Sequence, residues 1–297
     1  MKKKNIRILF LIIIFIFISS FLFLYEKINN FLLKNQVAQP LAKIKENKII
    51  KIVFENENNK TEVYKKNSHW YLVKDGFELK ADEERINKTI DALINIKKEE
   101  IVSQNKNKHK DFGIDKRKIT IYTEKNKFII YVGNNANLAN NYIRINNENT
   151  VFLAENLSDV FSNNNDWWDS KVDFVSNPEK IKSIEINYLS EEKKIILTKN
   201  KNEWIINGKK AKKDRVDFFI NDLKTLKADD ITSKENFYDI NPEIVIIVNE
   251  DNKIKKGDFF NIDKEYYFLT INKNKFIYKI KTAYISFLKK EEDDFIQ

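Results

Sequence analysis

The longest uniform feature of the hydrophobic pattern is a stretch without a charged residue, from Ile8 to Tyr25. At a rise of about 1.5 Å per residue, a helix over this stretch could cross a thin bilayer core. Backbone groups in lipid must satisfy their hydrogen bonds internally, so a helix is the expected conformation. We therefore predict a cytoplasmic basic tip and transmembrane anchor over residues 1–25, and a polar tether over residues 26–48.

The charges beside this stretch predict its orientation. Four basic residues precede it, namely Lys2, Lys3, Lys4 and Arg7, whereas the charges directly behind it nearly cancel. Positive residues favour the cytoplasmic side, so we predict a single-pass cell-membrane protein with a cytoplasmic N-terminus and an extracytoplasmic C-terminal portion. A cleaved secretory signal is the alternative, but the apolar stretch exceeds a signal core and no small-x-small site follows it directly.

Beyond the tether, short alternating segments predict strands, and two segments with helical spacing predict amphipathic helices. The apolar stripes are Ile86, Ile90, Leu93 and Ile94 in the first helix, and Val216, Phe219, Ile220 and Leu223 in the second. The strands follow one another instead of alternating with helices. This order predicts an α+β fold with antiparallel sheets.

The same order of elements occurs twice. Landmarks recur at a separation that shrinks along the chain: Trp70 and Trp204, Ile90 and Ile220, Leu93 and Leu223, Ile114 and Ile240, Gly133 and Gly257. Two copies are too few for a solenoid. We predict two tandem similar units over residues 49–169 and 170–297, each an antiparallel sheet with one main helix on a face.

Composition limits the functions that remain. The chain of 297 residues is 42% hydrophobic and has no cysteine, so it can form real cores but has no thiol or disulfide chemistry. The net charge of +9 includes the four basic residues before the anchor, and elsewhere lysines alternate with acidic residues. We therefore predict no nucleic-acid partner.

No catalytic motif is recognisable. His69 and His109 are the only histidines, and without a third ligand we expect both side chains to be exposed instead of binding zinc. The five glycines form no phosphate-binding loop, and no nucleophile motif occurs. We predict no enzyme activity, no cofactor, and no catalytic or metal-binding residues.

Carboxylates cluster in three places, at Glu83 and Glu84, at Asp229 and Asp230, and over Glu291–Asp294. Paired carboxylates could hydrolyse glycans if they faced each other across a cleft. These clusters fall at a helix start, a strand edge and the chain end. We therefore predict that they are solvated charges.

Four tryptophans divide into two kinds. Trp70 and Trp204 recur ahead of the two helices, and we predict core anchors instead of a ligand platform. Trp167 and Trp168 are adjacent, so in an extended chain they point to opposite sides. They are the candidate partner-contact residues, and the competing interpretation is that one of them fills the seam between the two units.

Several short motifs follow one another along the chain: Asp111-Phe112-Gly113-Ile114-Asp115, Tyr131-Val132-Gly133-Asn134, Tyr142-Ile143-Arg144 and Trp168-Asp169-Ser170-Lys171. Their order resembles an uncharacterised bacterial envelope family, domain of unknown function 4340, over roughly Ile50 to Phe287. The resemblance implies tandem copies behind one N-terminal membrane helix, and some members resemble auxiliary parts of ABC export systems of the gliding-motility type. The second copy departs from the pattern, because Tyr238-Asp239-Ile240-Asn241-Pro242 replaces the glycine-containing motif.

Together these observations predict a membrane-anchored, extracytoplasmic binding or scaffolding protein. The resemblance alone implies the partner, another envelope protein such as an ABC transporter. Two alternatives remain. A deep cleft with two facing carboxylates would favour an envelope enzyme acting on cell-wall glycans, and a clustered lysine face would favour a binder of anionic wall polymers.

Overall fold

The computed structural model describes residues 3–34, 46–161, 167–201, 203–237, 240–272 and 274–296. Helix α1 spans Lys3–Lys34 and contains the apolar stretch. The large apolar side chains described in it are exposed, among them Phe15, Phe17 and Phe23. Within the described residues, no helix is sufficiently long and apolar to span a membrane. Membrane insertion of Ile8 to Tyr25 stays a prediction, and residues 35–45 of the predicted tether lie outside the described residues.

The first sheet has nine antiparallel strands. They are β1 (Ile49–Asn56), β2 (Lys60–Lys66), β3 (His69–Lys74), β4 (Phe77–Lys80), β5 (Glu100–Ser103), β6 (Arg117–Thr123), β7 (Lys127–Asn135), β8 (Asn140–Ile145) and β9 (Val151–Glu155). Their order in the sheet is β4-β3-β2-β1-β6-β7-β8-β9-β5. Strands such as β3 alternate between buried and less buried positions, as a sheet with one face on a core requires.

The second sheet repeats this arrangement. Its strands are β10 (Ile181–Tyr188), β11 (Lys193–Asn200), β12 (Glu203–Ile206), β13 (Lys209–Lys210), β14 (Asp230–Ser233), β15 (Ile244–Glu250), β16 (Lys253–Asn261), β17 (Tyr266–Ile271) and β18 (Phe276–Lys281). Their order is β13-β12-β11-β10-β15-β16-β17-β18-β14, which is the order of the first sheet strand for strand. The predicted α+β class with antiparallel sheets is confirmed, and the two similar sheets fit the predicted tandem repeat.

One helix accompanies each sheet. α2 (Glu83–Asn95) buries Ile86, Thr89, Ile90 and Leu93, and α3 (Lys213–Thr225) buries Val216, Phe219, Ile220 and Leu223. Both stripes follow the 3.6-residue period and agree with the predicted ones, except that Ile94 is only partly buried. Glu83 and Glu84 lie in the first turn of α2, where the helix dipole favours negative charge. A short α4 (Asp293–Ile296) ends the described chain.

Equivalent aromatic contacts occur in both units. Phe112 tilts against Tyr142 with ring centroids 4.9 Å apart and planes at 52°. In the second unit Phe237 tilts against Phe268 at 5.0 Å and 50°. Tyr142 and Phe268 hold the third position of β8 and β17, two strands with the same burial pattern. The duplication therefore extends from strand order to side-chain packing.

The strand register corrects one predicted landmark. β6 pairs Ile119 with Ile130, and β15 pairs Ile246 with Gly257. Gly257 thus corresponds to Ile130, and the predicted match with Gly133 is wrong. The absence of a side chain at Gly257 leaves room for the Phe174 ring, because a Cβ at this position would lie 2.9 Å from Cζ of Phe174. Gly133 instead faces the carbonyl oxygen of Phe112, so the two glycines serve different contacts.

The chain divides into two compact units. One comprises residues 1–72 with 83–167, and the other comprises residues 73–82 with 168–297. The predicted boundary between the units lies after residue 169. The grouping of residues 73–82 with the second unit was not predicted from the sequence. That segment holds the end of β3 and the whole of β4.

Candidate functional site

The adjacent tryptophans are both buried. Trp167 stacks on Phe54 with ring centroids 4.4 Å apart, and the Arg85 guanidinium lies 4.8 Å from its ring centroid. Trp168 forms an isolated antiparallel bridge with Ala81. Burial favours a packing role for both rings. Partner contact through Trp167 and Trp168 stays a prediction.

The two histidines differ in environment. His69 is exposed as predicted, and its Nδ1 lies 2.7 Å from Oε1 of Glu83. His109 was predicted to be exposed, and this prediction is wrong, since only 7% of the residue is accessible. Its Nε2 donates to the carbonyl oxygen of Asn149 over 2.9 Å, a partner 40 residues away that sequence inspection could not assign. Across the described parts of the chain, no cluster of three or more His, Cys, Asp or Glu side chains could hold a metal ion.

Most of the clustered carboxylates form ion pairs near the surface. Glu84 pairs with Lys88 one turn along α2, and Glu292 pairs with Lys209. Asp230 differs, because it pairs with Lys74, whose side chain is only 8% exposed. This carboxylate therefore compensates a buried charge, a role that the predicted solvated charge does not describe.

A pocket of about 440 Å³ lies in the second unit beside the C-terminal end of α3. Asp222, Asp229, Tyr284 and Phe287 contribute to its walls. Burial raises the pKa of Asp222, and the positive charge of Lys290 opposes this shift. The pocket walls therefore combine the aromatic side chains of Tyr284 and Phe287 with the carboxylates of Asp222 and Asp229.

The first unit has a polar pocket of about 580 Å³ at one end of β8. Lys106, Lys110 and Arg144 supply positive charge to its walls, and Asp115 supplies the one negative charge. Buried His109 also lines it. An excess of cationic groups around a concave surface favours binding of anions.

Arg144 is the most unusual residue of this pocket. It is 9% exposed, its guanidinium lies 3.7 Å from the ring centroid of Tyr131, and its Nη1 donates to the backbone carbonyls of Asn146 and Glu148. Its Nε is buried and has no hydrogen-bond partner among the described residues. A buried polar group without a partner carries a desolvation cost, which makes Arg144 a candidate site residue.

Arg144 was not predicted from the sequence as a site residue. The signal that could have found it lies in the repeat, because the residue in the same place of β17 is Thr270. β7–β8 pairs Tyr131 with Arg144, whereas β16–β17 pairs Asp258 with Thr270. The guanidinium is thus a property of the first unit and not of the shared fold.

These features define a duplicated α+β protein with a cationic pocket in its first unit. A family model described as Domain of unknown function (DUF4340) matches residues 70–243, more than half of the chain. The chain belongs to this family, which confirms the resemblance inferred from the motifs. Neither a search of curated proteins nor a search of solved structures gave a significant match.

Proposed function

We propose that this protein is a binding or scaffolding protein, held at a membrane by α1, with both sheet units outside the cytoplasm. Its partner in this proposal is another envelope protein, with an ABC transporter as the specific candidate. The transporter association comes from the family resemblance noted in the sequence.

The observation that carries the proposal is the repetition of one sheet in the same strand order. Extended sheets present broad rigid surfaces, and a second copy of the same unit doubles the surface without requiring new chemistry. The units differ in polar side chains such as Arg144 and Thr270, which is how duplicated binding surfaces acquire different ligands. The envelope enzyme and the anionic-polymer binder remain the competing functions.

The attachment to a membrane is supported by the side chains of α1. Apolar side chains are exposed along its described part, including Ile12, Phe15 and Leu24, each at least half accessible. Continuous exposed apolar surface of this kind marks contact with a membrane or another protein. The basic residues before it favour a cytoplasmic N-terminus.

Crosslinking in intact cells followed by purification from membranes tests the proposal. We expect the full-length chain to sediment with membranes and to crosslink reproducibly to one envelope protein. A variant lacking residues 8–25 should lose both properties. Turnover of a cell-wall glycan by the purified chain, abolished by changing one carboxylate, would replace this proposal with the enzyme alternative.

A further inference from the structure

We propose that the pocket around Arg144 in the first unit binds the phosphate group of a small ligand. This inference rests on the binding role proposed above but not on membrane attachment. It names the ligand chemistry of one pocket, and it can therefore fail while the scaffold proposal stands.

The first argument is the incomplete pairing of the Arg144 guanidinium. Tyr131 covers one face of it, and two backbone carbonyls accept from Nη1. No carboxylate of the described residues lies within 4 Å of its nitrogens, and its buried Nε has no acceptor. A cation–π contact and two carbonyls offset only part of the cost of removing this charge from water. A bound anion in the pocket would supply the missing negative charge.

The second argument comes from the duplicated unit, which acts as an internal comparison. Thr270 occupies the place of Arg144 on β17, and its strand has the same burial pattern as β8. The fold therefore forms with a short neutral side chain at this position. Structural need does not explain why the first unit places a guanidinium there.

The third argument is the charge around the pocket. Lys106 and Lys110 are exposed lysines that line the pocket, and no ion pair with a described carboxylate engages either of them. Asp115 is the one carboxylate of the wall, so the fixed charges leave a net positive pocket. The carboxylate of Glu148 lines a neighbouring depression with Lys98.

The ligand class follows from these groups. A guanidinium stays charged at any working pH and forms charge-assisted hydrogen bonds with phosphate and carboxylate oxygens. Several cations around one pocket favour the doubly charged phosphate over a singly charged carboxylate. The volume of about 580 Å³ leaves space beside the phosphate group for an organic substituent. Free phosphate and a phosphate ester share this chemistry, and the experiment separates them.

Isothermal titration calorimetry of the full-length protein in detergent, at constant ionic strength, provides the test. The probes are inorganic phosphate, glycerol 3-phosphate and acetate. We expect saturable binding of both phosphates and at least tenfold weaker binding of acetate. Tighter binding of glycerol 3-phosphate than of inorganic phosphate would identify an ester as the ligand, and equal affinities would identify the phosphate group alone.

Variants connect the binding to the pocket. Arg144→Thr, which copies the second unit, should weaken phosphate binding at least tenfold, as loss of a charge-assisted hydrogen bond predicts. Arg144→Lys should lose part of the affinity, because it keeps the charge but not the planar guanidinium that stacks on Tyr131. Lys209→Ala, on the surface of the second unit, is the matched control and should leave binding unchanged.

A second variant protects the test against a folding defect. Lys106→Ala with Lys110→Ala changes only exposed side chains, so the thermal unfolding midpoint should stay unchanged while phosphate binding weakens about tenfold. Absence of phosphate binding by the wild-type protein would overturn the proposal. Equal binding by the wild type and the double lysine variant would also overturn it. Unaltered binding by a folded Arg144→Thr variant would show that Arg144 only caps the turn after β8.

Discussion

Trp70 and Trp204 occupy the same place in the two sheets, on β3 and β12. Each is buried and pairs across strands with a lysine, Lys65 or Lys199. In both cases the lysine Nζ lies 5.7 Å from the ring centroid. The duplicated unit therefore preserves both the ring and the cation that covers it.

Truncation of either indole should destabilise the protein strongly. We expect Trp70→Ala and Trp204→Ala each to lower the free energy of unfolding by about 3–5 kcal/mol, because each leaves a large cavity in a core. Chemical denaturation measures this. Phe218→Ala on the exposed side of α3 is the control and should change stability by less than about 0.5 kcal/mol. A small effect at either tryptophan would show that its core is not the one described.

A larger residue at position 257 should destabilise the protein while Phe174 is present. A Cβ at this position would meet the Phe174 ring at 2.9 Å, so Gly257→Ala should cost about 1–3 kcal/mol, as overpacked cores do. The double variant Gly257→Ala with Phe174→Leu should regain part of that loss. A single variant as stable as the wild type would contradict the assigned contact.

Ionisation of Tyr188 at alkaline pH should lower the stability of the second unit. Burial raises the pKa of this hydroxyl to about 12. The hydroxyl donates to the carbonyl of Leu288 over 2.7 Å and accepts from the backbone N–H of Lys290 over 2.9 Å. The folded state holds the proton more tightly than the unfolded state, where tyrosine titrates near pH 10. The contribution of the protonated Tyr188 hydroxyl to folding stability is therefore fully present below pH 10 and is lost as pH rises towards 12.

The size of this effect follows from the shift. Two pKa units correspond to about 3 kcal/mol of stability, most of which is lost by pH 12. Burial also raises the pKa of Tyr267 and of Tyr278 to about 12, which adds to the same trend. Urea unfolding between pH 9 and pH 12 measures the slope. Tyr188→Phe should be less stable at pH 9 but should show a shallower slope, and an unchanged slope would refute the role of Tyr188.

The ion pair between Lys74 and Asp230 should contribute to the stability of the second unit. Asp230→Asn removes a carboxylate from a lysine that is 8% exposed, and we expect a loss of about 1–3 kcal/mol. The cost stays below that of a fully buried pair because Asp230 itself is 37% exposed. Asp75→Asn, which changes a more exposed partner of the same lysine, is the control. Equal effects of the two variants would show that Asp230 has no special role.

Local patterns were sufficient to predict the helices and most strands. The stripes of α2 and α3 and the alternation in β3 depend on residues close together in the chain. The edge strands β5 and β14 could not be predicted, because each is short and pairs with the last strand of its sheet. Their pairing is decided by contacts between distant residues.

The candidate site was harder to predict than the fold for the same reason. Arg144 looks like a surface residue within an alternating strand, and its burial depends on Tyr131 of the neighbouring strand. His109 lies in a polar loop, and its burial depends on the distant carbonyl of Asn149. The contrast between Arg144 and Thr270 distinguishes the two units at this position, and it becomes apparent only once the strand register is known.

The proposed function depends on the placement of both sheet units outside the cytoplasm. Protease added to intact or outer-membrane-permeabilised cells tests this placement directly, with an endogenous cytoplasmic protein as the control for lysis. We predict that residues 50–297 are digested while the control stays intact. Reversal of the charges at Lys2, Lys3, Lys4 and Arg7 should partly invert the orientation and protect this region. Protection of residues 50–297 in the unaltered protein, with digestion only after lysis, would contradict the account.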